Sequence, residues 1–504
     1  MRRSYLAGLA LVLLAPPAAA FPLFDLRPTG TPFEGPAEIE PTASWWNPAA
    51  LAPLRGFHLQ FFGGLRARRG TFDRTAIDHT TGLPGPGADR TFPALALDDD
   101  SLRYFAAASW DFGLDYFAFG LSVSAPWNST LGFSDDGSGN SLKLPAAYHL
   151  ASESFHSLFI SLAVALHLHP RFAIGLAVMP IDSWADLTLY RDRALDQGSA
   201  GMSQPSGLCG ATACGFENPL AATRIQLHGD GGVFWNRGGS PGLPWPLGLG
   251  LEWGILIRPI DPLFVGLSYL HVYPFGGSGS GYERSYELPS QRGATVAGTS
   301  GAGTLALALP DILQAGVRIL LLPDKLELSG WARLVMYGGY GTSNDPAIAG
   351  LVLRLDGSAA TAAGTEKLVL ARGLRPALAL EAGARWRPWR WLRLGLSEIV
   401  ETSAIPAGYV NPEAFDALKF DTTLGAEFRI RSWLRLVLAY GLTAFLPASV
   451  NPSAFDPGAR LRCVDAQFAT TACADDLAGR GLPTAAGRYS GITHHATAGV
   501  GLDF

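Results

Sequence analysis

Few side chains in this sequence are spaced for chemistry. One Gly-x-Ser-x-Gly match, Gly238-Gly239-Ser240-Pro241-Gly242, has the spacing of a nucleophile elbow. Pro241 has no N–H to offer an oxyanion, and the match lies in a Gly/Pro-rich stretch with no strand-to-helix turn, so acyl-transfer catalysis is not expected. Gly248 to Gly254 contains GxGxxxG, but inside an alternating strand, where glycine marks close packing and not a phosphate cradle. The doublet His494-His495 opens the last strand and is expected to face solvent or lumen. No metal or other cofactor has a motif behind it. Cys209 with Cys214, and Cys463 with Cys473, are too irregularly placed for a metal site; in an oxidising compartment they read as two local disulfide staples. What recurs is charge of both signs on one strand face: Glu252, Arg258, Glu327, Arg333, Glu381, Arg385, Glu427, Arg429 and Arg435. Such groups pair with one another, and one arginine among them could receive an external carboxylate through two parallel N–H bonds.

The elements that must carry these residues follow from composition and pattern. The 504 residues are 48% hydrophobic and 16% charged, with 60 Gly and a net charge of -5. That balance excludes a disordered chain, a nucleic-acid binder held by bulk positive charge, and a disulfide-dense mini-domain. Residues 1–20 read as a secretory signal: Arg2 and Arg3 precede the apolar run Tyr5 to Leu14, and Ala18-Ala19-Ala20 offers the cleavage pattern, so the mature chain would begin at Phe21. Two later uncharged stretches, Tyr116 to Ser134 and Leu436 to Phe455, are broken by proline and asparagine and do not read as spanning helices.

A secreted apolar chain without spanning helices leaves the transmembrane β-barrel, whose signature is alternation of lipid-facing apolar with lumen-facing small or polar residues. Leu247 to Arg258 shows it: Leu247, Leu249, Leu251, Trp253, Ile255 and Ile257 take one face, and mostly glycine, Glu252 and Arg258 the other. Tight turns are expected at Asp111 to Asp115, His169 to Arg171, Pro259 to Asp261, Pro323 to Asp324, Arg387 to Arg390 and Arg431 to Ser432. Six hairpins, with Phe57 to Arg66 in front and Gly491 to Phe504 behind, predict an all-β, 14-stranded antiparallel transmembrane barrel. Ala222 to Trp235 alternates too, but a fifteenth strand would put the tight turns on both sides of the membrane, so it is assigned to a loop. Trp386, Trp389, Trp391 and Trp433, interleaved with arginines, form an expected aromatic belt at the periplasmic headgroups.

Residues 21–56 carry seven prolines and no alternation, yet are too apolar for a free tail; they read as an N-terminal plug inside the lumen. The barrel would then span 57–504, with long loops at 182–244, 272–310, 338–373 and 448–490.

The plug ends in Asn47-Pro48-Ala49-Ala50-Leu51, which resembles the Asn-Pro-Ala-Gly-Leu-type motif of the FadL/TodX family of outer-membrane transporters for long-chain fatty acids and hydrocarbons, with alanine at 50 where glycine is usual. Ala118 to Trp127 resembles that family's third strand, Leu227-His228-Gly229-Asp230 the segment before its central strands, and Leu309-Pro310-Asp311 the lead into a later hairpin. The resemblance implies a capture groove on the loops, with Trp184, Leu187, Phe216, Phe234, Trp235 and Phe275. It implies a pocket between lumen and plug, with Phe21, Phe24, Trp45, Trp46, Asn47 and Pro48. It also implies a lateral exit at the third strand, with Gly120 and Pro126 at its kink, while Arg258, Arg333, Arg385 and Arg429 would project into the lumen. The expected function is ligand-gated passive uptake of a hydrophobic small molecule across the outer membrane, without an enzyme activity. The expected partners are the ligand, outer-membrane lipid and lipopolysaccharide, and the barrel insertion machinery; no nucleic acid is expected, and the chain would be a monomer. The rival readings are a barrel enzyme acting on lipids and a surface adhesin or porin.

Overall fold

The computed structural model describes residues 27–76, 85, 87–89, 91–132, 150–192, 222–231, 248–273, 282–288, 299–306, 310–323, 325–337, 350–356, 366–371, 373–451, 453 and 485–504. Fourteen of the strands close into one antiparallel wall. They are β1 (Phe57–Arg74), β2 (Asp99–Trp110), β3 (Phe117–Gly132), β4 (Leu150–His169), β5 (Phe172–Asp192), β6 (Gly248–Ile260) and β7 (Leu263–Tyr273). The second half is β8 (Asp311–Leu322), β9 (Leu326–Met336), β10 (Ala377–Trp389), β11 (Leu392–Glu401), β12 (Lys419–Arg431), β13 (Leu434–Val450) and β14 (Gly487–Asp503). Each strand pairs with the next in sequence, and β1 closes on β14 from His58↔Asp503 to Arg74↔Gly487. All six expected hairpins fall between the strands that the alternation assigned.

The wall is built by the period of two. In β10 the side chains of Ala377, Ala379 and Glu381 are buried while Leu378 and Leu380 are exposed; in β12 Asp421 and Thr423 face in and Leu424 faces out. An outer surface of exposed leucine, isoleucine and tryptophan is unstable in water and stable in hydrocarbon, and pairing β1 with β14 removes the two edges an open sheet would have. At the short-turn end Phe57 and Phe504 exchange both backbone hydrogen bonds, and Gly56 (φ 87°) turns the chain from the lumen into β1. A Cβ at Gly56 would run into the Phe504 carbonyl.

Two features of the long-loop end depart from the sequence reading. Ala222–Gly231 is a strand, but it pairs with β5 from Ser183 outward, beyond the point where β5 leaves β6 at Ile181↔Gly248. It therefore extends the sheet past the wall and leaves the count at fourteen. Short strands Tyr282–Leu288, Thr299–Ala306, Gly350–Asp356 and Glu366–Ala371 continue this extension, so the stretches read as loops at 182–244, 272–310 and 338–373 carry paired backbone. The second feature is a cap, residues 402–418, for which the sequence reading had no expectation. Ile405, Val410 and Phe415 pack with Phe72, Phe445 and Tyr489 in a second apolar core above the first. Lys419 Nζ is held beneath it by Asp416 (2.6 Å) and Glu401 (3.2 Å). The available signal was composition: a segment carrying Ile405, Val410 and Phe415 around Pro406 and Pro412 is too apolar to stand in solvent.

Candidate functional site

Residues 27–52 thread the barrel and are buried almost without a break. Prolines prevent this segment from adding to the wall, since each removes a ladder donor, and short polar turns replace the lost bonds. Thr31 Oγ1, for example, accepts from Phe33 N. One helical turn, Ala43–Trp46, precedes a 3-10 turn, Pro48–Leu51, and Asn47 joins the two. Its Oδ1 accepts from Ala49 N (3.1 Å), as an N-cap should, while its Nδ2 donates to Pro36 O (2.8 Å) and to Ile255 O of β6 (3.0 Å). A single amide thus fixes the plug to itself and to the wall. Ala50 sits inside the 3-10 turn without positive φ, so alanine is accommodated where the motif usually has glycine.

The wall is carved to receive this turn. A Cβ on Gly254 would overlap Asn47 Oδ1, one on Gly175 would overlap the Pro48–Ala49 backbone, and one on Gly266 the Pro36 carbonyl. Ser161 Oγ donates to Ser44 O (2.6 Å), and Ser268 Oγ (2.6 Å) and Gln314 Nε2 (3.2 Å) donate to Trp46 O. Trp45 and Trp46 are buried; Trp45 meets Phe159 edge-on at 5.4 Å, and Trp46 meets Trp331 at 5.5 Å with the Arg333 guanidinium over both rings of the latter pair. The core of the molecule is this apolar junction of plug and wall.

On the other side the junction is ionic. Arg27 reaches Asp421 (3.0 Å) and Glu381 (3.9 Å). Arg385 holds the plug at two points, donating to Pro32 O (3.0 Å) and pairing with Glu38, and also lies 3.9 Å from Glu327. Arg435 binds Glu40 (3.1 Å), Glu427 (3.5 Å) and Asp503 (2.9 Å). Burying any one of these charges alone would cost several kcal/mol, so the network specifies one seat for the plug more than it adds stability.

Glu34, in the plug, is the weakly neutralised acid. Burial raises its carboxyl to about 7, against the pull of Arg27 and hydrogen bonds from Thr29 and the Trp46 indole. The folded chain then holds more protons than the unfolded one between about 4.5 and 7, so stability falls as pH rises through that window. The loss is about 3 kcal/mol from a shift of this size. Against its own burial, Glu40 is held below its usual value by Arg435 and titrates beneath the window. We therefore expect the unfolding midpoint to drop between pH 5 and pH 8, and Glu34→Gln to flatten that slope; heat-modified migration on gels at the two pH values measures it.

Among the described residues the wall itself is incomplete at one place. β2 and β3 pair from Trp110↔Phe119 to Phe105↔Ser124 and then separate, whereas β2 stays paired to β1 out to Asp99 and β3 to β4 out to Gly132. The separation starts at a bulge, because Ala125 and Pro126 intervene between Ser124↔Phe159 and Trp127↔Ser157 while β4 has only Leu158 between its partners. Side chains replace the missing ladder. Asn128 Nδ2 donates to Leu102 O (2.8 Å), the Arg66 guanidinium donates to Asn128 O and to Ser101 Oγ (3.0 Å), and Tyr104 OH meets His156 Nε2 of β4 (2.9 Å). The gap begins six residues above the short turn, about 20 Å along a strand. With a tilt near 40° that is about 15 Å of height, inside an apolar band of roughly 25 Å.

Compared with known proteins, the chain matches no family model and no curated protein. Solved structures do match. It superposes on a FadL homologue of Pseudomonas aeruginosa with a TM-score of 0.66 at 13% identity, covering 97% of this chain and 100% of that one. The Pseudomonas putida toluene transporter TodX gives 0.61 at 14% identity (96% and 100%), and the Ralstonia pickettii toluene transporter TbuX 0.58 at 14% (96% and 100%). The fold is that of the FadL/TodX barrels.

Within this FadL/TodX-type barrel the expected site residues divide. Trp45, Trp46, Asn47 and Pro48 come together at the plug junction, and Arg333 and Arg385 are buried in the lumen. Arg258 and Arg429 are corrected: both keep the inward phase but lie past the last packed residue, so Arg258 pairs with Asp261 at a turn (3.8 Å) and Arg429 is exposed. Gly120 is corrected as well. It sits in regular ladder, paired with Ser109 and Ala163, and gives room to Leu51 and Ser44 of the plug; only Pro126 is at the bulge. The His494-His495 doublet is split by the wall, His494 bonding Tyr440 outside (2.7 Å) and His495 meeting Thr423 inside (3.2 Å). Trp184 and Leu187 lie on the outer part of β5, where the strand pairs with Ala222–Gly231. Residues 1–20, Phe21, Phe24, Phe216, Phe234, Trp235, Phe275, the 238–242 match and Cys209, Cys214, Cys463 and Cys473 lie outside the described residues. The sequence reading missed Arg66, Asn128, Tyr104 and His156; its one available signal was polar residues in a stretch facing lipid.

Proposed function

We propose that this protein is a plugged outer-membrane channel that admits hydrophobic compounds by diffusion, with the plug as its gate and the space between β2 and β3 as its exit. The short turns are then periplasmic and the long loops extracellular. The observation that carries the reading is the interrupted β2–β3 ladder at mid-membrane height, beside a lumen stoppered by residues 27–52. An open ladder exposes peptide groups to hydrocarbon, which a closed barrel otherwise avoids, and it gives a greasy solute a route into lipid that never crosses water. The matched proteins, a FadL homologue and toluene transporters, fit the same purpose.

Among the described residues every lumenal arginine has a partner, Arg27, Arg318, Arg385, Arg393 and Arg435 through carboxylates. A ligand carboxylate would have to displace one of these, so uncharged hydrocarbons fit the lumen better than fatty-acid anions. Proteoliposomes holding the full mature chain should accumulate radiolabelled toluene faster than protein-free vesicles, with oleate taken up more slowly than toluene. Removing residues 21–45 should make the vesicles leak small hydrophilic dyes. A truncated protein that keeps both the rate and the selectivity would remove the plug from the mechanism.

A further inference from the structure

The short-turn rim of the barrel is not evenly charged. On one side the β2–β3 turn carries Asp111 and Asp115 with Arg55 laid against it, the β4–β5 turn carries Arg171, and the β6–β7 turn carries Asp261 paired with Arg258, so acids and bases balance there. Across the barrel, the three successive turns between β8 and β13 carry Lys325, Arg387, Arg390, Arg429 and Arg431 against one acid, Asp324. Lys325, Arg390, Arg429 and Arg431 are exposed, and among the described residues none has a carboxylate within ion-pair distance. The backbone ties these turns into one patch: Arg387 N donates to Lys325 O (2.8 Å) and Arg429 N to Trp391 O (2.8 Å). Tryptophans fill the space between them. Trp389 and Trp391 stack at 5.4 Å with planes 7° apart, and both are more than half exposed.

We propose that this sector, between β8 and β13, binds the headgroup of an anionic phospholipid. The inference rests on the membrane reading above, which puts these turns at one leaflet's headgroup level. The guanidiniums of Arg390, Arg429 and Arg431 have the fork geometry that takes phosphate oxygens two at a time, and flat indoles beside them suit the glycerol and first methylenes of the same molecule. Cations scattered around the rim would serve any anionic surface; cations gathered on neighbouring turns, opposite a rim whose charges balance, select one position for one lipid. The lipid would occupy the wall sector across the barrel from the β2–β3 gap.

The test uses the full mature chain reconstituted into nanodiscs of phosphatidylethanolamine and phosphatidylglycerol in equal amounts, then released and weighed by native mass spectrometry. The expected result is retention of phosphatidylglycerol over phosphatidylethanolamine. Arg390→Gln with Arg429→Gln and Arg431→Gln should weaken that retention by about a hundredfold, since each surface cation contributes about one power of five. Arg171→Gln with Arg258→Gln, on the other sector, should leave it unchanged. If the triple variant folds poorly, each single change should still lower retention in part. Equal retention of the two lipids by the wild type, or undiminished phosphatidylglycerol on the folded triple variant, would overturn the proposal. Failure of the wild type to enter nanodiscs at all would instead overturn the membrane reading.

Discussion

Deleting Pro126 should reduce toluene uptake by proteoliposomes to the level of protein-free membranes while leaving a folded barrel. The reason lies in the register. β3 has two residues, Ala125 and Pro126, where β4 has only Leu158, and pairing resumes at Trp127↔Ser157. Removing one of the two restores one-to-one spacing without moving any pair beyond the bulge. β3 would then run straight past Ser124, and Ala125, Trp127 and Asn128 would come opposite Tyr104, Arg103 and Leu102, continuing the register set by Phe105↔Ser124. Asn128 already reaches Leu102 O through its side chain, so little backbone movement is needed. Each new ladder bond contributes about 1 kcal/mol, and in hydrocarbon the unmade alternative is costlier than in water. The variant should therefore melt at a higher temperature than the wild type and lose transport. Pro126→Ala keeps the extra residue and restores only one N–H, so it should retain most of the uptake. Undiminished toluene uptake by the deletion variant, with its raised melting temperature showing that the wall had closed, would exclude lateral exit.

The same bulge shows what one sequence can and cannot specify. Alternation is a property of single strands, and it sufficed to place all six hairpins and both closing strands, because a one-residue slip would turn Leu378, Leu380 and Leu424 into the lumen and Glu381 and Asp421 into lipid. Where a strand ends relative to the lumen is a property of its neighbours. Arg258 and Arg429 have the right phase and the wrong height, and nothing in their own strands marks the level at which inward begins to mean solvent. Inward glycines had the opposite fate. Gly120, Gly175, Gly254 and Gly266 offer no side chain for the alternation to place, and each is where the wall meets a plug residue. The plug's identity was legible from its prolines, but its seat was not, since that depends on which carbonyls Asn47, Ser161 and Ser268 reach across more than a hundred residues of chain. The alternation of Ala222–Gly231 was real; the topological argument correctly kept it out of the wall, and sequence alone gave no sign that it would pair above β5.

Arg385→Met should unseat the plug. The guanidinium is buried, donates to the Pro32 carbonyl and pairs with Glu38 of the plug and Glu327 of the wall, with the Phe33 ring 5.9 Å away. Methionine fills much of the same volume, so packing is conserved and charge is what changes. Glu327 keeps Arg318 (3.1 Å) and Arg393 (3.4 Å), but Glu38 keeps only Arg318, at 3.8 Å. Leaving a buried carboxylate this poorly compensated costs about 3–5 kcal/mol. The chain has two ways to avoid that cost: it can unfold sooner, or it can move the plug until Glu38 meets water. The wall's own ladders are untouched, so the second is cheaper. The expected result is a barrel that still resists detergent on gels yet conducts small ions in planar bilayers, where the wild type is silent. Adding Glu38→Gln removes the stranded charge and should silence most of that conductance, even though it restores no ion pair. A double variant as leaky as Arg385→Met alone would mean that the Pro32 hydrogen bond, and not the compensation of Glu38, holds the plug in place.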